Sequence, residues 1–214
     1  MDHRQLKHPA GTAVAPRCED PLTRVPRPLT ALAVLAAALA LAACGSDDGA
    51  GNPDSKLTLE QATAPLEDAS PQLTGIRDQA NQLLDEGAEG FENRLAELEG
   101  TPVVVNKWAS WCGPCRLEFP FFQSQAEERA AAVAFLGVGS NDSENALTDF
   151  LEQLPLPYPS YYDPDLEIAK ELGGPTQAFP STSFYDRNGE LVFTRPGGYK
   201  DESELAADID QYAR

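Results

Sequence analysis

The chain has 214 residues, 42% of them hydrophobic and 23% charged, which suits one globular domain with additions and excludes both a disordered chain and a multispanning membrane protein. Its formal charge of −18, from 16 basic and 34 acidic residues, repels phosphate backbones and sets nucleic acid aside as a partner. Only 2 histidines and 4 cysteines are present, and where they fall governs the chemistry available.

The first predicted element is an uncharged apolar run, Leu29 to Ala43, with Arg4, Lys7, Arg17, Arg24 and Arg27 before it and Asp47 and Asp48 after it. Basic before and acidic after is the orientation of a segment whose C-terminal side leaves the cytoplasm. Its 15 residues fit a signal-peptide core, since a spanning helix needs about 20. The run ends in Leu41-Ala42-Ala43-Cys44, which resembles the lipobox of bacterial lipoproteins. That resemblance implies a signal peptide over residues 1–43 and a lipidated Cys44 as the first residue of an exported, membrane-anchored protein. An uncleaved anchor is the other expectation, and it places the rest of the chain on the same side. The stretch ahead of the run is long for a signal, so translation is expected to begin further down, near Val25.

Loss of residues 1–43 leaves 11 basic and 31 acidic residues, a net charge of −20, and removes both His3 and His8. A mature chain without histidine has no Ser-His-Asp or Cys-His nucleophile pair and no imidazole metal site. Cys18 goes with the signal and Cys44 with the lipid, which leaves Cys112 and Cys115, too few for a structural disulfide framework.

Residues 44–56, the lipidated cysteine and a small, polar, turn-forming stretch, are expected to form a flexible tether. Residues 57–89 are expected to form an N-terminal helical extension, Pro-interrupted at first. From Gly75 a helical period places Ile76, Ala80, Leu83 and Leu84 on one face, with Gly87 to end it. The main domain is expected over residues 90–214. A short helix carries Phe91, Leu95 and Leu98 and closes at Gly100; Val103-Val104-Val105 then reads as a buried strand. Residues 113–129 read as a helix kinked at Pro120, and 132–138 as a second buried strand. Leu147, Phe150, Leu151 and Leu154 mark one helix, capped by Asp142 or Ser143. Asp163 and Pro164 open another, which Gly173 closes, and Tyr158, Tyr161 and Tyr162 read as packing residues. Residues 181–185 and 190–194 flank an Asp186-Arg187-Asn188-Gly189 hairpin signal, and the last helix sets Leu205, Ile209 and Tyr212 on one face behind an Asp201/Glu204 capping box. Strand-helix-strand followed by hairpin-helix predicts an α/β fold, a mixed sheet sandwiched by helices.

Trp111-Cys112-Gly113-Pro114-Cys115 lies just after a strand and opens a helix. Two cysteines with this spacing in this place form a redox pair. The free N–H groups and partial positive charge of a helix N-terminus stabilise a thiolate, so Cys112 is expected to attack, while Cys115, one turn on and deeper, resolves. Pro114 fits the first turn, where its missing N–H costs nothing. A zinc knuckle needs four ligands and lacks them here.

Trp-Cys-Gly-Pro-Cys resembles the signature of the thioredoxin superfamily, a likeness that covers about residues 90–213. In that family the position of Phe179-Pro180-Ser181-Thr182 carries a cis-proline facing the cysteines, in a loop whose backbone pairs with a bound substrate strand. The resemblance thus implies a thioredoxin-like domain, here with extra N-terminal helices, and substrate docking on the Pro180 loop; Trp111 and Phe179 are expected to form an apolar, substrate-docking rim around the sulfurs, or else to be plain packing aromatics. Within the superfamily the chain is similar to the membrane-tethered TlpA/ResA/DsbE type. The export signal, Glu118 three residues after Cys115, and the long stretch 139–173, like that branch's central insertion, carry this likeness. Where thioredoxin buries an aspartate behind its cysteines, this chain has Asn106, which cannot take the resolving thiol's proton. Glu118 shares a helix face with Cys115 and is the candidate base if buried; otherwise it is a solvent-facing helix glutamate. Lys107 either pairs with Glu118 or extends its amine to water.

The expected activity is thiol-disulfide exchange with protein dithiols and no cofactor, since the sulfurs carry both electrons. The resemblance favours a reductase, for example of apocytochrome c thiols, which needs a membrane electron donor; for an oxidase of secreted proteins the membrane partner is an acceptor. A peroxiredoxin-type peroxidase and a dithiol lipoprotein that only binds are the remaining classes. Ala109, three residues before Cys112 where a peroxidase carries Thr or Ser, speaks against the former.

Overall fold

The computed structural model describes residues 56–214. The expected signal peptide, Cys44 and the tether up to residue 55 lie outside the described residues, among which no helix is long and apolar enough to cross a membrane.

The described part begins with α1 (Leu59–Ala62) and α2 (Pro71–Asp78), capped by Thr58 and Ser70. Next come β1 (Leu83–Leu84), α3 (Gly87–Glu97), β2 (Val103–Trp108), α4 (Gly113–Glu128), β3 (Ala134–Ser140) and α5 (Glu144–Gln153). The chain closes with β4 (Ser160–Asp163), α6 (Glu167–Glu171), β5 (Ser181–Tyr185), β6 (Leu191–Pro196) and α7 (Glu202–Tyr212). The strands make one mixed sheet in the order β1-β4-β3-β2-β5-β6. β1, β4, β3 and β2 run parallel, and β5 and β6 are antiparallel to their neighbours, so the expected α/β arrangement is present.

Two expectations near the start of the domain are corrected. Leu83 and Leu84 are not helical; they pair with Ser160 and Tyr161 at the sheet edge. Gly87, expected to end that helix, is the first residue of α3. The helical period fails because Asn81 adopts φ +61, its N–H reaches Tyr158 O at 3.2 Å and its Oδ1 accepts from Leu156 N at 2.9 Å. A left-handed asparagine tied at both ends to the segment that leads into β4 keeps α2, which ends at Asp78, from running on to Leu84. β4 was not anticipated as a strand. Tyr161 is buried edge-on against Phe91, with ring centroids 5.4 Å apart, so the tyrosines do pack as expected.

The helix caps follow local chemistry. Ser143 caps α5, which frees Asp142 to accept from both Ser110 N (2.8 Å) and Ser110 Oγ (2.6 Å) in the turn before the cysteines. The Asp163 carboxylate takes the N–H groups of Ile168 and Ala169 at 3.1 and 3.0 Å and so opens α6. Asp201 caps α7 by accepting from Glu204 N at 3.1 Å, while Glu204 turns back to Lys200 N and Arg195 instead of closing the box on Asp201.

β2 is buried along its whole length at the centre of the sheet. At its end Trp108 packs 5.1 Å from both Phe119 of α4 and Phe150 of α5, and those two phenylalanines lie 4.9 Å apart edge-on. This cluster fastens the helix carrying the cysteines to the insertion helix and to the strand before the motif. It needs Gly137 on β3, because a Cβ there would sit 2.1 Å from Ser160 Oγ and 3.1 Å from Trp108 Nε1.

Candidate active site

The cysteines lie where β2 hands over to α4. Cys112 is the N-cap of α4; its sulfur accepts from Cys115 N at 3.2 Å and is bonded to the Cys115 sulfur. Residue exposure is 4% at Cys112 and 0% at Cys115, so the outer of the two is the one a partner can reach. Gly113 and Pro114 fill the first turn, and the helix continues through Pro120, which has no N–H for the Arg116 carbonyl.

The Phe179–Pro180 peptide bond is cis, as the resemblance implied. Trp111 is 55% exposed, its ring centroid lies 4.9 Å from that of Phe179, and its Nε1 donates to Asn141 O at 3.0 Å. An apolar rim on the accessible side of the disulfide therefore combines a residue of the motif with one of the cis-proline loop.

Glu118 is fully buried. Its Oε1 accepts from Asn106 Nδ2 at 2.9 Å and its Oε2 from Tyr199 N at 3.2 Å. Burial pushes its carboxyl up to about 8; the Asn106 and Tyr199 hydrogen bonds and the Arg195 charge oppose this and are outweighed. The alternative of a solvent-facing glutamate is thereby removed. A Cβ on Gly198 would lie 3.4 Å from Glu118 Oε2, 3.4 Å from Pro180 Cγ and 3.7 Å from Pro114 Cβ. The buried carboxyl, the cis-proline and the redox turn thus converge on one glycine. The partner atom of the Asn106 amide, Oδ1, is buried without a hydrogen bond among the described residues.

Lys107 does neither of the things expected of it. It is 1% exposed and so does not reach water, and being adjacent to Asn106 on β2 it points to the opposite face of the sheet from Glu118. Its Nζ donates to Thr176 O at 2.6 Å and sits 4.7 Å from the Phe179 ring centroid. Burial pulls this amine down to about 8, against the attraction of Asp163.

The structure therefore brings together Trp111, Cys112, Gly113, Pro114, Cys115, Asn106, Glu118, Phe179 and Pro180, with Lys107 beneath the loop. Cys44 lies outside the described residues. Gly198, Tyr199 and Thr176 carry no expectation from the sequence, and Asp142, read there as a possible helix cap, instead holds the turn before the cysteines through its carboxylate. Gly198 had a signal, a Pro-Gly-Gly run just after a predicted strand; Tyr199 and Thr176 act through backbone groups. Among the described residues no group of three or more His, Cys, Asp or Glu could hold a metal.

Residues 65–209 match the family model described as Redoxin. The thiol-disulfide oxidoreductase ResA of Halalkalibacterium halodurans is 28% identical over 135 residues, 63% of this chain and 76% of that protein. ResA of Oceanobacillus iheyensis is 35% identical over 101 residues, 46% of this chain and 50% of that one, so the chain spans about half the length of this relative. The crystal structure of a thiol:disulfide interchange protein DsbE from Chlorobium tepidum superimposes with a TM-score of 0.51 at 27% identity, over 55% of this chain and 83% of that one. With the bonded Cys112–Cys115 pair at a helix N-terminus opposite a cis-proline, the chain belongs to the Redoxin family, as a thiol-disulfide oxidoreductase of the ResA/DsbE-like kind.

Proposed function

We propose that this protein is an extracytoplasmic reductase of protein disulfides, lipid-anchored through Cys44 and working beside a membrane electron donor. Apocytochrome c dithiols are the substrate class suggested by the resemblance to ResA and DsbE proteins. In the reduced enzyme the Cys112 thiolate attacks one sulfur of a substrate disulfide. The substrate's other sulfur leaves as a thiolate and takes up a proton, and a Cys112–substrate mixed disulfide remains. Cys115 then loses its proton to the Glu118 carboxylate and attacks the Cys112 sulfur. The substrate leaves with both thiols, and the two electrons it gained leave the enzyme with the Cys112–Cys115 disulfide.

One observation carries the exchange chemistry of this reading: the Glu118 carboxyl is buried three residues along α4 from Cys115, held by Asn106 and Tyr199 and raised to about 8. A group that titrates near neutrality can take the thiol's proton in one half-cycle and return it when the donor reduces the pair. Gly-Pro between the cysteines, as in thioredoxin, supports the reducing direction. The test is the equilibrium potential of the pair against glutathione, with reduction of insulin disulfides as the activity. A potential near thioredoxin's, about −270 mV, is expected. A value near that of the strong oxidant DsbA, about −120 mV, overturns the direction and makes the protein a disulfide-forming oxidase.

A further inference from the structure

Lys107 is a buried cation on β2, whose other residues are three valines, Asn106 and Trp108, and nothing in the exchange chemistry uses it. A buried ammonium is costly unless directional contacts compensate it, and an aliphatic chain of similar volume would fill the space without that cost. The contacts it makes go to one segment. Its Nζ bonds the Thr176 carbonyl at 2.6 Å and lies 4.7 Å from the Phe179 ring centroid, so it grips both ends of residues 176–179. The next residue is cis-Pro180, whose carbonyl accepts from Gly197 N at 2.9 Å. Phe179 also meets Trp111 at 4.9 Å between centroids, so the ring stands between the ammonium and the residue preceding Cys112.

The surroundings leave no competing partner in charge of the amine. Its strand neighbours in register are Val138 and Ser181, neither of them charged. The carboxylate that acts on it electrostatically is Asp163, whose oxygens are already bonded to Ser140 Oγ, Ile168 N and Ala169 N.

We propose that Lys107 is a positioning residue that clamps residues 176–179 from beneath, so that Phe179 and cis-Pro180 present a preformed docking edge to a protein substrate. The clamp rests on the reading of that loop as the docking element. Ordering the loop beforehand lowers the entropy cost of binding an extended chain, and this acts on KM rather than on the sulfur chemistry. A small disulfide that contacts only Cys112 needs no such edge.

The experiment compares the full chain with Lys107→Met, Lys107→Gln and Phe179→Leu. Four quantities are read: amide hydrogen exchange over residues 177–179, kcat and KM for insulin reduction, and the rate at which the reduced pair cleaves 5,5′-dithiobis(2-nitrobenzoate). Lys107→Met should speed exchange in the loop roughly tenfold and raise KM for insulin several-fold, with kcat and the small-disulfide rate within about twofold of wild type. Phe179→Leu should speed exchange in the same segment, and combining it with Lys107→Met should add less than the product of the two single effects. Where Lys107→Met does not fold, Lys107→Gln and Phe179→Leu carry the same comparison. Unchanged loop exchange in a folded Lys107 variant overturns the clamp, and so does an equal loss toward insulin and the small disulfide. Should wild type fail to reduce insulin while the exchange result holds, the docking reading fails and the clamp stands.

Discussion

The two faces of β2 end in opposite problems with the same answer. On one face Asn106 and the Tyr199 N–H hold a buried carboxyl, Glu118, whose charge is disfavoured; on the other the Thr176 carbonyl and the Phe179 ring hold a buried amine, Lys107, whose charge is disfavoured too, though less strongly. Burial moves the first up and the second down, and both arrive at about 8. The acid lies on the helix of the sulfurs and the base lies under the docking loop. Neighbouring residues of one strand, Asn106 and Lys107, thus stand at the two halves of the proposed reaction, proton transfer and substrate presentation, and the sheet keeps them apart.

The sharpest way to break this comparison is to remove the sulfurs that both faces serve. Cys112→Ser or Cys115→Ser should lower insulin reduction by about a thousandfold or more. Cys115→Ser should also accumulate a mixed disulfide with substrate, visible as a reducible adduct on a gel; turnover that survives either change would refute the exchange chemistry. Next in size is Glu118→Gln. In wild type the rate of mixed-disulfide resolution should rise as pH climbs through about 8, because the carboxylate form is the base. The variant should lose that rise and resolve roughly a hundredfold more slowly at pH 8. An unchanged profile in rapid-mixing experiments would return Glu118 to a packing role.

Stability separates the two faces by sign. Glu118, raised to about 8, contributes stability that is complete below its ordinary value of 4.5 and is lost as pH rises through about 8. Lys107, lowered to about 8, contributes stability that is complete above 10.5 and is lost as pH falls through about 8. Urea unfolding of the disulfide form should show Glu118→Gln gaining on wild type from pH 5 to 8, by on the order of 3 kcal/mol. Lys107→Met should gain on wild type between pH 10.5 and 8. Parallel curves for variant and wild type would contradict the burial that defines each face. The smallest effect is expected at Gly198→Ala, whose methyl would meet Glu118 Oε2 and Pro180 Cγ at ordinary contact distance. Stability should change by less than about 1 kcal/mol, while the pH midpoint for resolution should move up because an apolar methyl against Oε2 further disfavours the charged carboxylate. A midpoint that stays put would separate Gly198 from the acid.

Much of the reactive end was legible in the chain. The Cys112–Cys115 spacing after a β-branched run located the redox turn, and the family likeness of the Pro180 segment implied its cis bond. The i+3 spacing from Cys115 put Glu118 on the right helix face, though not at any depth. The failures have one origin. Leu83 and Leu84 follow a helical period but are held as a strand by residues 160 and 161, and Lys107 could be assigned a partner only by proximity along the chain, when the partner is Thr176.

What the sequence determined by itself is therefore local: the cysteine pair placed between a buried strand and a helix N-terminus, and most but not all of the elements around it, since these depend on residue type and short spacing, while the cis-proline came from the family likeness. Tertiary structure alone decided which ionisable groups lose their water and what they receive in exchange. Glu118 meets Tyr199 and Lys107 meets Thr176 across gaps of 81 and 69 residues, and no spacing rule spans such distances. Desolvation depends on everything packed around a group, so the protonation states that drive this chemistry emerge only once the sheet and its covering helices have closed.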